Sequence, residues 1–126
     1  MSVGVEEIDA QHRSFIGILN EMMAFFDSGR AEAAAGPMIE GLCAYAEYHF
    51  ATEEKYFTMF AYELADEHIA EHRRMAARLA EFRRAHLERG EHVIGELFAF
   101  AANWLTDHLM KQDHKYIACF HEHGLY

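Results

Sequence analysis

Seven residues set the strongest constraint on this 126-residue chain: His12, then His49 with Glu53, His68 with His72, and His108 with Asp113. They fall on four separate stretches whose apolar residues recur at three- and four-residue intervals, the period of a buried helical stripe. An α-helix brings positions i and i+4 onto one face. His49/Glu53 and His68/His72 therefore each send two metal-ligand side chains the same way. His108 and Asp113 are five apart, ~140° around an ideal α-helix. They meet at one point only if the metals sit between them or the helix bends locally.

The stripes predict four helices. The first starts near Ile8 or Asp9, carries Phe15, Ile18, Leu19, Met22, Met23 and Phe26 inward, and ends near Asp27-Ser28-Gly29. The second starts either at Gly36-Pro37, since proline suits a first turn, or near Ala31 with a kink at Pro37. It runs to about Phe60, with Leu42, Tyr45, Ala46, His49, Glu53, Tyr56 and Phe57 on its inner face. The third follows a link at Ala61-Tyr62-Glu63, buries Met75, Leu79 and Phe82 beside its histidines, and stops before Arg89-Gly90. The fourth starts near Glu91, passes through Ile94, Leu97, Phe98, Ala101, Trp104 and Leu105, and continues to about Phe120. Short links imply antiparallel neighbours. The expected fold is all-α, an up-down-up-down four-helix bundle forming one domain over residues 1–126.

With 52% hydrophobic residues, one proline and no cluster of glycines, the chain can bury a core of its own. Its formal charge of −10 argues against nucleic acid or an anionic membrane surface as partner. The N-terminus lacks a basic, apolar leader, and no run reaches the ~18 apolar residues of a membrane span. A cytoplasmic, soluble protein is expected. Cys43 and Cys119 read as buried or half-buried thiols. In the bundle they lie roughly 25 Å apart along the axis, too far for a disulfide.

Imidazole suits iron, zinc, copper or nickel, and a carboxylate can bridge two ions. Two six-coordinate ions sharing three bridges have six terminal positions, and five histidines leave one of them open. A four-coordinate structural zinc site needs far fewer inward ligands. Ferritin-like di-iron bundles use Glu-x-x-His, and no histidine here has a glutamate three residues before it.

The ordered set His, HxxxE, HxxxH, HxxxxD resembles the hemerythrin family, as do His49-Phe50-Ala51-Thr52-Glu53-Glu54 and Trp104-Leu105-Thr106-Asp107-His108-Leu109. The resemblance covers nearly the whole chain. It implies a non-haem di-iron centre that binds O2 reversibly, for oxygen transport, storage or delivery. One iron would take His68, His72 and His108. The other would take His12 and His49 and keep the open position. Glu53 and Asp113 would bridge, with an oxo or hydroxo oxygen as third bridge. Phe50, Trp104, Leu105 and Leu109 match the family's dry apolar O2 pocket, and none of them is an obvious general acid.

Asp9, Gln11 and Tyr116 are candidates to orient ligands, whereas Glu54 is one step off the family spacing. His86 and His92 are expected to be exposed, and His121 and His123 to lie on a frayed C-terminus. The chain departs from the family in its short lead-in before His12 and in lacking a proline at Tyr62-Glu63. A short lead-in would leave the pocket more open to solvent.

The expected role is that of a monomeric oxygen-binding protein, not an enzyme, which serves an oxygen-consuming protein partner. The alternatives are a di-iron redox enzyme, with peroxidase or nitric-oxide-reducing activity, and an O2, NO or redox sensor on the same site. On this ligand count, His72→Ala loses iron and destabilises the bundle, while His123→Ala changes neither. Metal analysis and thermal melting of the two variants check this, and equal iron in both would remove His72 from the set.

Overall fold

The structure, a computed structural model, describes residues 2–90 and 92–126. It is a helical bundle with no strand among the described residues. Helix α1 spans Glu6–Asp27, α2 Ala31–Phe60, α3 Ala65–Arg89, α4 Ile94–Trp104 and α5 Ile117–Glu122, with a π-helical stretch over Leu105–Gln112 between the last two. Helix α2 packs along both α1 and α3, and α4 closes against α1 and α2.

The start of α2 resolves to the earlier of the two expected positions, so Pro37 lies inside the helix. An interior proline removes one backbone hydrogen bond and costs ~3 kcal/mol or more. Burial of Ala34, Ala35, Met38 and Ile39 around it opposes that cost. The turn before it still closes, with Ala34 N–H donating to the Arg30 carbonyl at 3.1 Å. Helix α1 begins at Glu6, slightly earlier than expected. Met23 and Phe26 are 48% and 38% exposed, not inward. They sit at the rim, where Phe26 meets the edge of Phe98.

No proline ends α2. Ala61 takes the left-handed conformation at φ 50°, and Tyr62 N–H donates to the Phe57 carbonyl at 3.0 Å. The Tyr62 and Phe57 rings then pack 5.0 Å apart. This is the Schellman arrangement, with its apolar contact, on a residue that bears a Cβ. Ala61→Gly is therefore expected to stabilise the protein by about 0.5–1 kcal/mol in urea unfolding. No gain would mean that the surrounding turn already absorbs the strain. Gly90 supplies the same left-handed cap to α3 without the Cβ.

The expected continuous fourth helix is instead three pieces. Its expected start at Glu91 lies outside the described residues, and α4 is observed from Ile94. Past Trp104 the helix widens, and Asp113 N–H donates five residues back to the His108 carbonyl at 3.0 Å. No glycine or proline marks this change, so local propensity does not cause it. It satisfies a tertiary demand, because both His108 and Asp113 are buried in the centre.

Two apolar clusters flank the middle of the bundle. One includes Phe15, Leu42, Tyr45, Phe50, Leu79, Leu97 and Leu109. The other joins Val3, Val5, Ile8, Phe57, Tyr62, Tyr116 and Phe120. The residues before α1 are tied down. Val3 and Val5 are fully buried, and Asp9 accepts from Val3 N–H and the Ser2 hydroxyl, both at 2.7 Å. Asp9 thus anchors the lead-in. No helix is long and apolar enough to cross a membrane among the described residues.

Candidate metal centre

Between the two clusters lie Glu53 and Asp113, both fully buried, with five buried imidazoles around them. All five present Nε2 to these carboxylates. Asp113 Oδ2 is 2.9 Å from His12 and 3.3 Å from His49. Its Oδ1 is 2.9 Å from His68 and 3.0 Å from His108. Glu53 Oε1 is 2.9 Å from His72, 3.1 Å from His49 and 3.5 Å from His68. The seven side chains form two sets of donors that could each hold a metal ion: Glu53, His68, His72 and His108, and His12, His49 and Asp113. The π turn is what brings Asp113 to the face of His108. An i+5 hydrogen bond stacks residues five apart, and such bulges recur at functional sites.

The outer nitrogens decide what the inner ones face. His72 Nδ1 is 2.8 Å from Glu54 Oε2, and His108 Nδ1 is 2.8 Å from Glu71 Oε2. A carboxylate can only accept, so each Nδ1 carries the proton. For His49 the proton is set through two further residues. The Thr52 hydroxyl donates to the Tyr48 carbonyl at 3.0 Å, so its oxygen must accept from the Gln11 amide N–H, 2.9 Å away. Gln11 Oε1 then faces His49 Nδ1 at 2.7 Å and accepts its proton.

With their outer protons placed, three rings turn lone pairs toward carboxylate oxygens about 3 Å away. That is repulsive unless a cation stands between them or the rings are protonated. Of these three rings, His49 is held protonated in the metal-free protein. Burial opposes a charged His49, but Glu53 and Asp113 outweigh it and lift its pKa to about 10. His68 is raised to about 9 against the same opposition from burial. Burial and mutual repulsion act to raise the pKa values of Glu53 and Asp113, yet the surrounding imidazoles hold both below the usual carboxylate range.

The donor set also fits a metal ion. Metal–imidazole bonds of about 2.0–2.1 Å place neighbouring octahedral donors roughly 2.9 Å apart, and His68 and His108 Nε2 are 3.0 Å apart. Asp113 Oδ1 approaches both rings without forming an aligned hydrogen bond, and Glu53 Oε2 is buried with no partner among the described residues. Metal binding would displace the imidazole protons.

The signs give a pH prediction for the metal-free protein. The raised His49 and His68 contribute stability that is fully present below ~6.5 and lost as pH rises toward 9–10. The lowered Glu53 and Asp113 contribute stability that is present above ~4 and lost in acid. The melting temperature of chelated protein should therefore fall steadily from pH 6.5 to 9.5. A flat profile would show that the carboxylates do not hold these protons.

Of the expected pocket residues, Phe50 and Leu109 are buried, and Trp104 and Leu105 are half-buried. Phe50 stacks on His72 with centroids 4.0 Å apart, and Trp104 on His108 at 3.8 Å. Tyr45 lies parallel to His49 at 5.4 Å. Gln11 has the orienting place expected of it. Tyr116 is fully buried with its ring 5.8 Å from His68. Glu54, set aside on spacing, and Glu71 and Thr52, which spacing did not mark, also orient ligands. The available signal for Glu71 was a carboxylate directly before a ligand, on a helix beside another ligand.

The remaining histidines stay outside the two donor sets. His86 is half-buried rather than exposed, with a buried Nδ1, and His92 is exposed. The C-terminal histidines are not frayed. His121 Nε2 lies 2.9 Å from the Gly4 carbonyl, and His123 stacks on Phe60 at 4.6 Å. His123→Ala should thus keep its iron but lose part of an aromatic contact worth about 0.5–1.5 kcal/mol. Cys43 and Cys119 are free and half-buried, as expected.

A family model described as a hemerythrin HHE cation binding domain matches residues 3–120. A bacteriohemerythrin of Stenotrophomonas maltophilia is 30% identical over 116 residues, 92% of this chain and 74% of that protein. One from Pseudomonas aeruginosa is 29% identical over 117 residues, 93% and 75% of the two chains. One from Clostridium acetobutylicum is 26% identical over 120 residues, 91% of this chain and 92% of its own.

Proposed function

This chain belongs to the hemerythrin family, whose members hold a di-iron centre and bind O2, and from that premise we propose that it binds O2 reversibly. The observation that carries the reading is the convergence of five imidazole Nε2 atoms on two buried carboxylates. In this reading His68, His72 and His108 would hold one iron, His12 and His49 would hold the other, and Glu53 and Asp113 would be shared between them. We read the helices as an up-down-up-down bundle in a single-domain, monomeric, cytoplasmic protein. In this reading it is not an enzyme, and it supplies an oxygen-consuming partner.

Bound iron would supply the electrons that O2 binding takes up, and the chain's own residues position and shield it. Gln11, Glu54 and Glu71 fix the outer nitrogens of His49, His72 and His108, so each Nε2 keeps its lone pair for the metal. Two of these acceptors are carboxylates, which raise the basicity of their rings. The third is a neutral amide, which leaves the His49 ring a weaker donor than the other two. Phe50, Leu109, Trp104 and Leu105 exclude water and protons, which would make oxidation irreversible.

The test is an anaerobic, iron-loaded sample assayed for metal and then scanned in the visible range on exposure to air. About two irons per chain and a charge-transfer band that fades when oxygen is removed would support the proposal. Irreversible oxidation without such a band would replace it with the redox-enzyme or sensor alternative. Failure to take up iron would end the di-iron reading for this chain.

A further inference from the structure

The two-histidine side of the centre contains a hydroxyl that the proposed function does not use. Tyr45 is only 8% exposed, and its hydroxyl oxygen is buried with no partner among the described residues. The ring lies parallel to His49 at an angle of 11° and packs 5.0 Å from Phe15. Phe15 follows His12 by one helical turn on α1, so Tyr45 sits among the residues that flank His12 and His49. Leu42, Ala46, Phe50 and Leu109 belong to the same apolar cluster.

A phenol buried without an acceptor is a standing cost, and phenylalanine would fill the same space without it. The ring is also held in place by its stack on His49, so the donor is fixed in advance. Tyr62 and Tyr116 also have buried hydroxyls, the Tyr62 one without a partner among the described residues and the Tyr116 one toward Glu53, but they pack with Phe57 on the His68 side. There three histidines complete their iron in the proposed count. Tyr45 alone of the three lies on the side with the open position.

We propose that the Tyr45 hydroxyl donates a hydrogen bond to a small ligand held at the open position, selecting for ligands whose outer atom accepts one, small anions above all. The two-histidine side then has a donor of its own, in addition to the buried Trp104 indole N–H, whose ring stacks on His108. This rests on the two-iron reading given above.

The test uses the full chain, iron-loaded and oxidised, with azide as the probe, in wild type, Tyr45→Phe and Tyr62→Phe. Tyr45→Phe should keep its iron, bind azide roughly ten-fold more weakly and shift the infrared stretch of bound azide. Tyr62→Phe, which loses the same atom on the other side, should match wild type in all three. Equal azide affinity and an unchanged stretch in Tyr45→Phe would overturn the assignment while leaving the iron centre standing. Loss of iron in Tyr45→Phe would also overturn it, because the hydroxyl would then be structural. A wild type that takes up no iron would instead remove the two-iron reading, and this proposal with it.

Discussion

Asp113→Ala is expected to empty the centre. Iron should fall from about two per chain to well below one by metal analysis. The reason is its position: Asp113 lies within 3.3 Å of four of the five imidazoles, more than Glu53 reaches. In the proposed centre the substitution removes a bridging carboxylate, and it also leaves buried rings without their counter-charge, a loss of about 3–5 kcal/mol when one partner of a buried pair is deleted. Asp113→Asn separates the two effects. It preserves shape and some hydrogen bonding but carries no charge, so it should melt closer to wild type while still failing to hold iron. Two irons retained in Asp113→Ala would remove it from the ligand set.

Removing the metal should have the second-largest effect. A ligand present at a thousandfold over its dissociation constant stabilises the folded state by about 4 kcal/mol. For a chain of this length that corresponds to a fall of roughly 10–20 °C in Tm on chelation. The gap should widen from pH 6.5 to 9.5, because protons substitute for metal ions at low pH and leave His49 and His68 as pH rises. Calorimetry of loaded and chelated protein at both pH values checks this. Equal melting temperatures would mean that the buried carboxylates are adequately balanced without metal, against the orphaned Glu53 Oε2.

Much of this was legible because helical period and ligand spacing reinforce each other. His49/Glu53 and His68/His72 announce their shared faces through the i+4 rule, and the stripes around them place those faces inward. His12 is visible only as the first member of an ordered set. The break in the fourth helix was not legible. Residues 105–112 contain neither glycine nor proline, and the widened turn arises from what His108 and Asp113 must reach rather than from local preference. Glu71 and Thr52 were hidden for a related reason. Each acts across a helix pair, 37 residues from His108 and 41 from Gln11 respectively, and a one-dimensional period carries no such pairing. Tyr45 was visible as a core position, but the isolation of its hydroxyl is a property of packing alone.

The widened turn bears on any attempt to transplant this centre. A designer who copies the seven proposed ligands onto a bundle of straight, regular helices would reproduce every residue and still send one carboxylate around the side of its helix. The information that completes the ligand set is carried partly by main-chain hydrogen bonding, where Asp113 reaches back to His108. A scaffold for such a centre therefore has to be drawn with the bulge already in its backbone, before any side chain is chosen.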